Sequence, residues 1–96
     1  MQLTLVGARF RPIEAREALA DLGQGDEVLL IRDPSNPYDA NAVQIWTANE
    51  VHFIGFVAKV EAAEIAATLD ENDGRGDAVI SDKPDRLSAI LQYDQA

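Results

Sequence analysis

Hydrophobic and polar positions along this chain follow two periods, and the switches between them mark its elements. Leu3-Thr4-Leu5-Val6 opens a strand-like run over residues 3–10, punctuated by Gly7. Pro12 suits the first position of a helix, and Ala15, Ala18, Leu19 and Leu22 share one face of it, ended by Gly23. Residues 27–33 and 42–47 read as the second and third strands. The turn Ala48-Asn49-Glu50 leads into residues 51–57, which makes the third and fourth strands a hairpin. Ala58, Ala62, Ile65, Ala66 and Leu69 form the apolar face of a second helix, with Glu61, Glu64, Thr68 and Glu71 pointing elsewhere. Asn72-Asp73-Gly74-Arg75-Gly76 reads as a flexible link. Residues 77–81 and 86–93 are the last strands, around Asp82-Lys83-Pro84-Asp85, and Leu87, Ala89, Leu91 and Tyr93 alternate at period two.

The order is therefore β-α-β-β-β-α-β-β. Helices do not join each successive strand pair, so a parallel α/β fold is disfavoured. A mainly β, α+β domain is expected, its antiparallel sheet curled into a small barrel. No repeat or linker divides it, so residues 1–96 read as one domain.

The link between the second and third strands stands out. Arg32-Asp33-Pro34-Ser35-Asn36-Pro37-Tyr38-Asp39-Ala40-Asn41-Ala42 is about twice the length of an ordinary hairpin connection. Each proline pushes its predecessor towards extended geometry, while the Asp and Asn residues favour local turns. A stiff loop follows, displaying an aromatic ring, a carboxylate and two amides, and such loops are common carriers of function.

Composition narrows the partners. Apolar residues make up 47% of the 96, enough for a modest core. There is no cysteine, hence no disulfide and no thiolate metal site. The N-terminal residues lack a secretory pattern and no run reaches membrane-spanning length, so a cytoplasmic protein without a membrane partner is expected. The net charge of −9 argues against indiscriminate polyanion binding. Its distribution is uneven: residues 1–59 carry five basic and eight acidic groups, net −3, and residues 60–96 three basic and nine acidic, net −6. A local basic site remains open in the first two thirds.

Three segments, in order, resemble the HIRAN domain: Val6-Gly7-Ala8-Arg9-Phe10, the string from Arg32 to Val43, and Ile54-Gly55-Phe56-Val57-Ala58-Lys59. The resemblance covers roughly residues 3–70, and Asn36-Pro37-Tyr38-Asp39-Ala40-Asn41-Ala42 is its specific part. It implies a six-stranded OB-like barrel with two helices, the last two strands falling in 76–96. HIRAN domains occur in fork-remodelling DNA translocases and as small stand-alone bacterial proteins. The resemblance implies recognition of the free 3′ end of single-stranded DNA, in the context of DNA repair. By the same resemblance, Arg9 and Phe10 match an Arg-aromatic pair, Asn36, Tyr38 and Asp39 the central loop, and Lys59 a basic residue at the second helix. Arg11 stands where DNA-binding members show a second aromatic, and Phe56 where a polar ring such as histidine can stand.

Each candidate has two readings. Asp39 can accept a hydrogen bond from a terminal hydroxyl and repel a phosphate, or bond backbone N–H groups of its own turn. Tyr38 and Phe10 can stack on bases or plug the barrel. Phe10, continuing an apolar strand, suits the plug, and Tyr38 suits exposure. Arg9 and Lys59 would hold phosphates. Lys59 at a helix start opposes the macrodipole, which an anion there would offset. Arg11 would join this patch or pair with Glu14. Asn36 and Asn41 suit loop closure, Gly55 a close approach of two backbones, and Trp46 an outward, edge-of-core place beside Gln44.

Catalysis finds little support. His52 is the lone histidine and no triad is recognisable. A calcium-loop alignment on Gly74 puts Leu69 and Ile80 at ligand positions and fails. The expectation is a non-catalytic module without cofactor or metal, binding a single-stranded DNA end through the 33–41 loop. The alternative is a protein-interaction or adaptor domain that keeps the barrel without DNA affinity, which the acidic balance motivates.

Overall fold

The computed structural model describes residues 1–94; the last two residues of the expected 76–96 stretch lie outside them. Six strands form a closed barrel: β1 (Gln2–Val6), β2 (Glu27–Arg32), β3 (Val43–Thr47), β4 (Phe53–Val57), β5 (Arg75–Asp82) and β6 (Ala89–Gln92). Around the barrel the order is β1-β4-β3-β2-β5-β6, every neighbouring pair antiparallel, with β6 closing on β1. Helix α1 (Ile13–Asp21) packs against β4, and α2 (Lys59–Asp70) against β2 and β5. The expected fold class and element order hold.

Alternation explains the core. Leu3 and Leu5 on β1, Val28 and Leu30 on β2, Val43 and Ile45 on β3, and Ala89 and Leu91 on β6 all point inward and are buried. The register sets Leu3 opposite Leu91 and Leu30 opposite Ile45, so apolar pairs meet across the ladders. From α2 the face Ala62, Ile65, Ala66 and Leu69 joins the same core, and from α1 Ala15 and Leu19. Each such buried Leu or Ile contributes about 1.5–3 kcal/mol.

Three departures from the sequence pattern shape the surface. The first strand stops at Val6, because Gly7 adopts φ +79° and turns the chain into a short 3-10 helix, Ala8–Phe10. Phe10 therefore leaves the strand and is 81% exposed; it does not plug the barrel. The last strand begins at Ala89, because Asp85, Leu87 and Ser88 form a hydrogen-bonded turn before it. The 72–76 link is held rather than loose: the Gly74 N–H donates to the Leu69 carbonyl (2.7 Å), its carbonyl accepts from Arg32 N–H (2.8 Å), and β5 already starts at Arg75.

A fourth feature lies in the hairpin. Ile45 pairs with Gly55 and Trp46 with Phe53, so Ile54 is an extra residue in β4. In a regular strand Phe53 and Phe56, three apart, would face opposite sides. The bulge sets both on the outer face, edge to face at 5.1 Å, while Ile54 stays buried.

Candidate nucleic-acid interface

The 33–41 loop is wired by its own side chains. Asn36 Oδ1 accepts the backbone N–H groups of Tyr38 (2.9 Å) and Asp39 (3.2 Å), and its Nδ2 donates to Asp33 Oδ2 (3.2 Å). Gln44 donates to the same Asp33 oxygen (3.1 Å) and accepts from the Trp46 indole (2.8 Å), which ties the loop to the outer face of β3. Asp39 Oδ1 accepts the Asn41 N–H (2.9 Å). Asp39 thus does fill the turn role, with one oxygen. Its Oδ2 has no hydrogen-bond partner among the described residues. Asn36 closes the loop through its amide, whereas Asn41 takes part through its backbone.

The loop's neighbours complete a cleft of about 450 Å³. Tyr38 stands at its rim, 90% exposed, because the Pro37 and Asn36 turn holds its backbone and nothing covers the ring. Phe56 forms the wall, held by Phe53, which itself stacks on Trp46 at 5.4 Å. Lys59 is the first residue of α2 and exposed. Ala58 caps that helix without a side-chain hydrogen bond, and Glu61 in its first turn is drawn away to Thr4, accepting from its N–H (2.6 Å) and its hydroxyl (3.1 Å). Lys59 therefore lines the cleft at the positive end of α2, where the first-turn carboxylate is engaged by Thr4.

Five of the seven expected residues, Asn36, Tyr38, Asp39, Phe56 and Lys59, line this one cleft. Arg9 and Phe10 do not. They line a second groove of about 570 Å³ together with Asp85, Arg86 and Leu87, and Val6 borders both. Arg11 joins neither. Its guanidinium lies 3.8 Å from the Phe53 ring centre and Nε donates to the Phe53 carbonyl (3.0 Å), so it pairs with a ring instead of Glu14. Val6 and Pro37 fall inside the resembling segments without being singled out there as lining residues, and Arg86 was not legible, since nothing in its local sequence marks it. Among the described residues no three His, Asp or Glu side chains gather as a metal site, and no helix is long and apolar enough to cross a membrane.

A closed six-stranded barrel with a cleft at one loop, lined by two aromatic rings, one lysine and one aspartate, defines a small binding module of the OB-like class. The HIRAN domain model matches residues 1–92, and the chain belongs to that family, whose domains are known as DNA-binding modules. Among solved structures, the chain is similar to a protein from Lactobacillus plantarum, at 27% identity and TM-score 0.81, over 94% of this chain and 85% of that one. It is also similar to the HIRAN domain of human HLTF, at 24% identity and TM-score 0.74, over 95% and 69% respectively. The latter likeness is one of fold. No curated protein matches the sequence.

Proposed function

We propose that this protein is a non-catalytic module that takes the free 3′ end of single-stranded DNA in the cleft at the 33–41 loop. The observation that carries the reading is the convergence there of an uncovered Tyr38 ring, an Asp39 carboxylate with a free oxygen, and Lys59 at an uncapped helix start. Tyr38 stacks on the terminal base, with Phe56 as the opposing wall. Asp39 Oδ2 accepts the hydrogen bond of the terminal 3′-hydroxyl, and its charge repels a 3′-phosphate. Lys59 and the first-turn amides of α2 hold the preceding phosphate. Arg9 and Phe10, across Val6, serve the next nucleotide in the second groove. The same reading assigns the protein to DNA repair in a bacterial cytoplasm.

The test is fluorescence anisotropy at low salt with short single strands ending in a 3′-hydroxyl or a 3′-phosphate. The free end is expected to bind more tightly by about 10- to 100-fold, the worth of one charge-assisted hydrogen bond. Asp39→Asn keeps the Oδ1 acceptor for Asn41 and should abolish that preference. Equal and negligible binding of both strands sinks the reading and favours the protein-interaction alternative.

A further inference from the structure

Eight basic side chains carry the chain's positive charge, and four are committed internally. Arg32 pairs with Asp70, Arg75 with Glu50, Arg11 covers Phe53, and Lys83 donates to the carbonyls of Leu19 and Arg86. The side chains of the other four, Arg9, Arg16, Lys59 and Arg86, have no hydrogen-bond or ion-pair partner among the described residues. Their placement is not scattered. Lys59 lines the cleft, Arg9 and Arg86 the second groove, and Arg86 and Arg16 a third hollow of about 320 Å³ at α1. Neighbouring hollows share lining residues, Val6 between the first two and Arg86 with Leu87 between the second and third. Arg16 Nε is in addition buried without a partner, a donor left unspent where most buried donors are satisfied.

We propose that single-stranded DNA follows this track: beyond the terminal nucleotides its backbone crosses Arg86 and reaches Arg16 on α1. The inference rests on the DNA-end reading above and deepens it, naming two phosphate contacts that the loop motif does not contain. A guanidinium suits them, because its planar fork meets phosphate oxygens bidentately. Ile13, 55% exposed, and Leu87 supply an apolar floor for sugars and bases between the two arginines. Two carboxylates, Asp85 and Glu17, also border the track. Asp85 Oδ1 accepts the Leu87 N–H (2.8 Å) and so shapes the turn that carries Arg86. With both acids present, the track extends the hold on a strand already anchored by its end rather than capturing one alone.

The experiment compares a trinucleotide, whose two phosphates reach only Lys59 and Arg9, with an octanucleotide, both with free 3′-hydroxyls, by anisotropy titration across a salt series. The wild-type protein is expected to bind the octanucleotide more tightly. Its salt slope should be steeper by roughly 0.7 for each added phosphate contact, about 1.4 for Arg16 and Arg86 together. Arg86 is exposed, so R86Q keeps the fold and should lower the octanucleotide slope by about 0.7; R16Q/R86Q should remove the length gain. R75Q deletes the same charge outside the three grooves and should retain that gain. An unchanged slope in R86Q overturns the track, as does a wild-type protein that prefers a free 3′-hydroxyl yet binds both lengths alike; the cleft reading then stands. Absence of binding to either length overturns both.

Discussion

Arg32 Nε lies 3.0 Å from Asp70 Oδ1, joining the last residue of β2 to the last residue of α2. The same guanidinium donates to the carbonyls of Ala40 and Ala42, each at 3.1 Å. It therefore closes the 33–41 loop and ties it to the helix whose other end carries Lys59. The two partners are unequal, since the Arg32 side chain is 10% exposed and that of Asp70 57%. Arg32→Met should cost about 1–3 kcal/mol, because two charge-assisted hydrogen bonds to loop carbonyls are lost, although the Ala42 carbonyl keeps the Asp33 N–H (2.9 Å). Asp70→Asn should cost less than about 1 kcal/mol, as for an exposed ion pair. Urea midpoints measure both. Equal losses would mean that the ion pair, not the carbonyl contacts, secures the loop.

Tyr38 and Phe10 should separate stability from binding. Both rings are open to solvent, so alanine at either should change folding stability by no more than about 0.5 kcal/mol. Each substitution should weaken single-strand binding by about 5- to 150-fold, the range of one base-stacking contact of about 1–3 kcal/mol. Thermal melts and anisotropy titrations on the same preparations supply the two readings. A large drop in melting temperature with intact affinity would assign the rings to packing.

Gly55 is a close approach that no side chain can share. A Cβ there would stand 2.9 Å from Leu5 Cδ2 and 2.9 Å from the Val6 carbonyl oxygen, and the backbone oxygen cannot step aside without moving β1. Gly55→Ala should destabilise the fold by about 1–3 kcal/mol, as overpacking does. The urea midpoint should fall with an unchanged slope. Since Val6 borders both grooves, a displaced β1 should also lower DNA affinity; an unaffected midpoint would contradict the packing at this ladder.

Lys83 offers a pH signature. Its Nζ donates to the Leu19 carbonyl in the last turn of α1 (2.7 Å) and to the Arg86 carbonyl (3.1 Å). Desolvation by burial lowers its pKa from 10.5, Asp85 raising it and Arg86 lowering it further by smaller amounts. The folded state then releases this proton at lower pH than the unfolded chain does. Its contribution to stability should rise with pH between the lowered value and 10.5, and level off above. Nuclear magnetic resonance titration of the lysine side chains should find its midpoint below 10.5, and Lys83→Met should remove that rise. A midpoint at or above 10.5 would mean that the two carbonyls outweigh the burial.

Much of this architecture is legible locally. Period two in Ala89, Leu91 and Tyr93, and period 3.6 in Ala62, Ile65, Ala66 and Leu69, name their buried faces because one face of a strand or helix must leave water, whereas Leu87, which the same alternation placed on the strand, stands in the turn before it and is only partly buried. The stiff loop is equally readable, since Asn36 and Asp39 bond amides two or three residues away. Arg11 was not readable: its partner Phe53 lies 42 residues on, and only the packing of α1 against β4 brings them together.

The sequence by itself determined the barrel's elements, its core and the loop that displays Tyr38 and Asp39, because all of these follow from short-range periodicity and turn chemistry. Tertiary structure decided the rest of the surface. The Ile54 bulge turned Phe56 to the same side as Phe53, and the 3-10 turn after Gly7 sent Phe10 into solvent. Barrel closure of β6 on β1 brought Arg86 beside Arg9, 77 positions earlier in the chain. Register shifts and strand closure depend on contacts between residues far apart in sequence, and no local pattern encodes where those contacts fall.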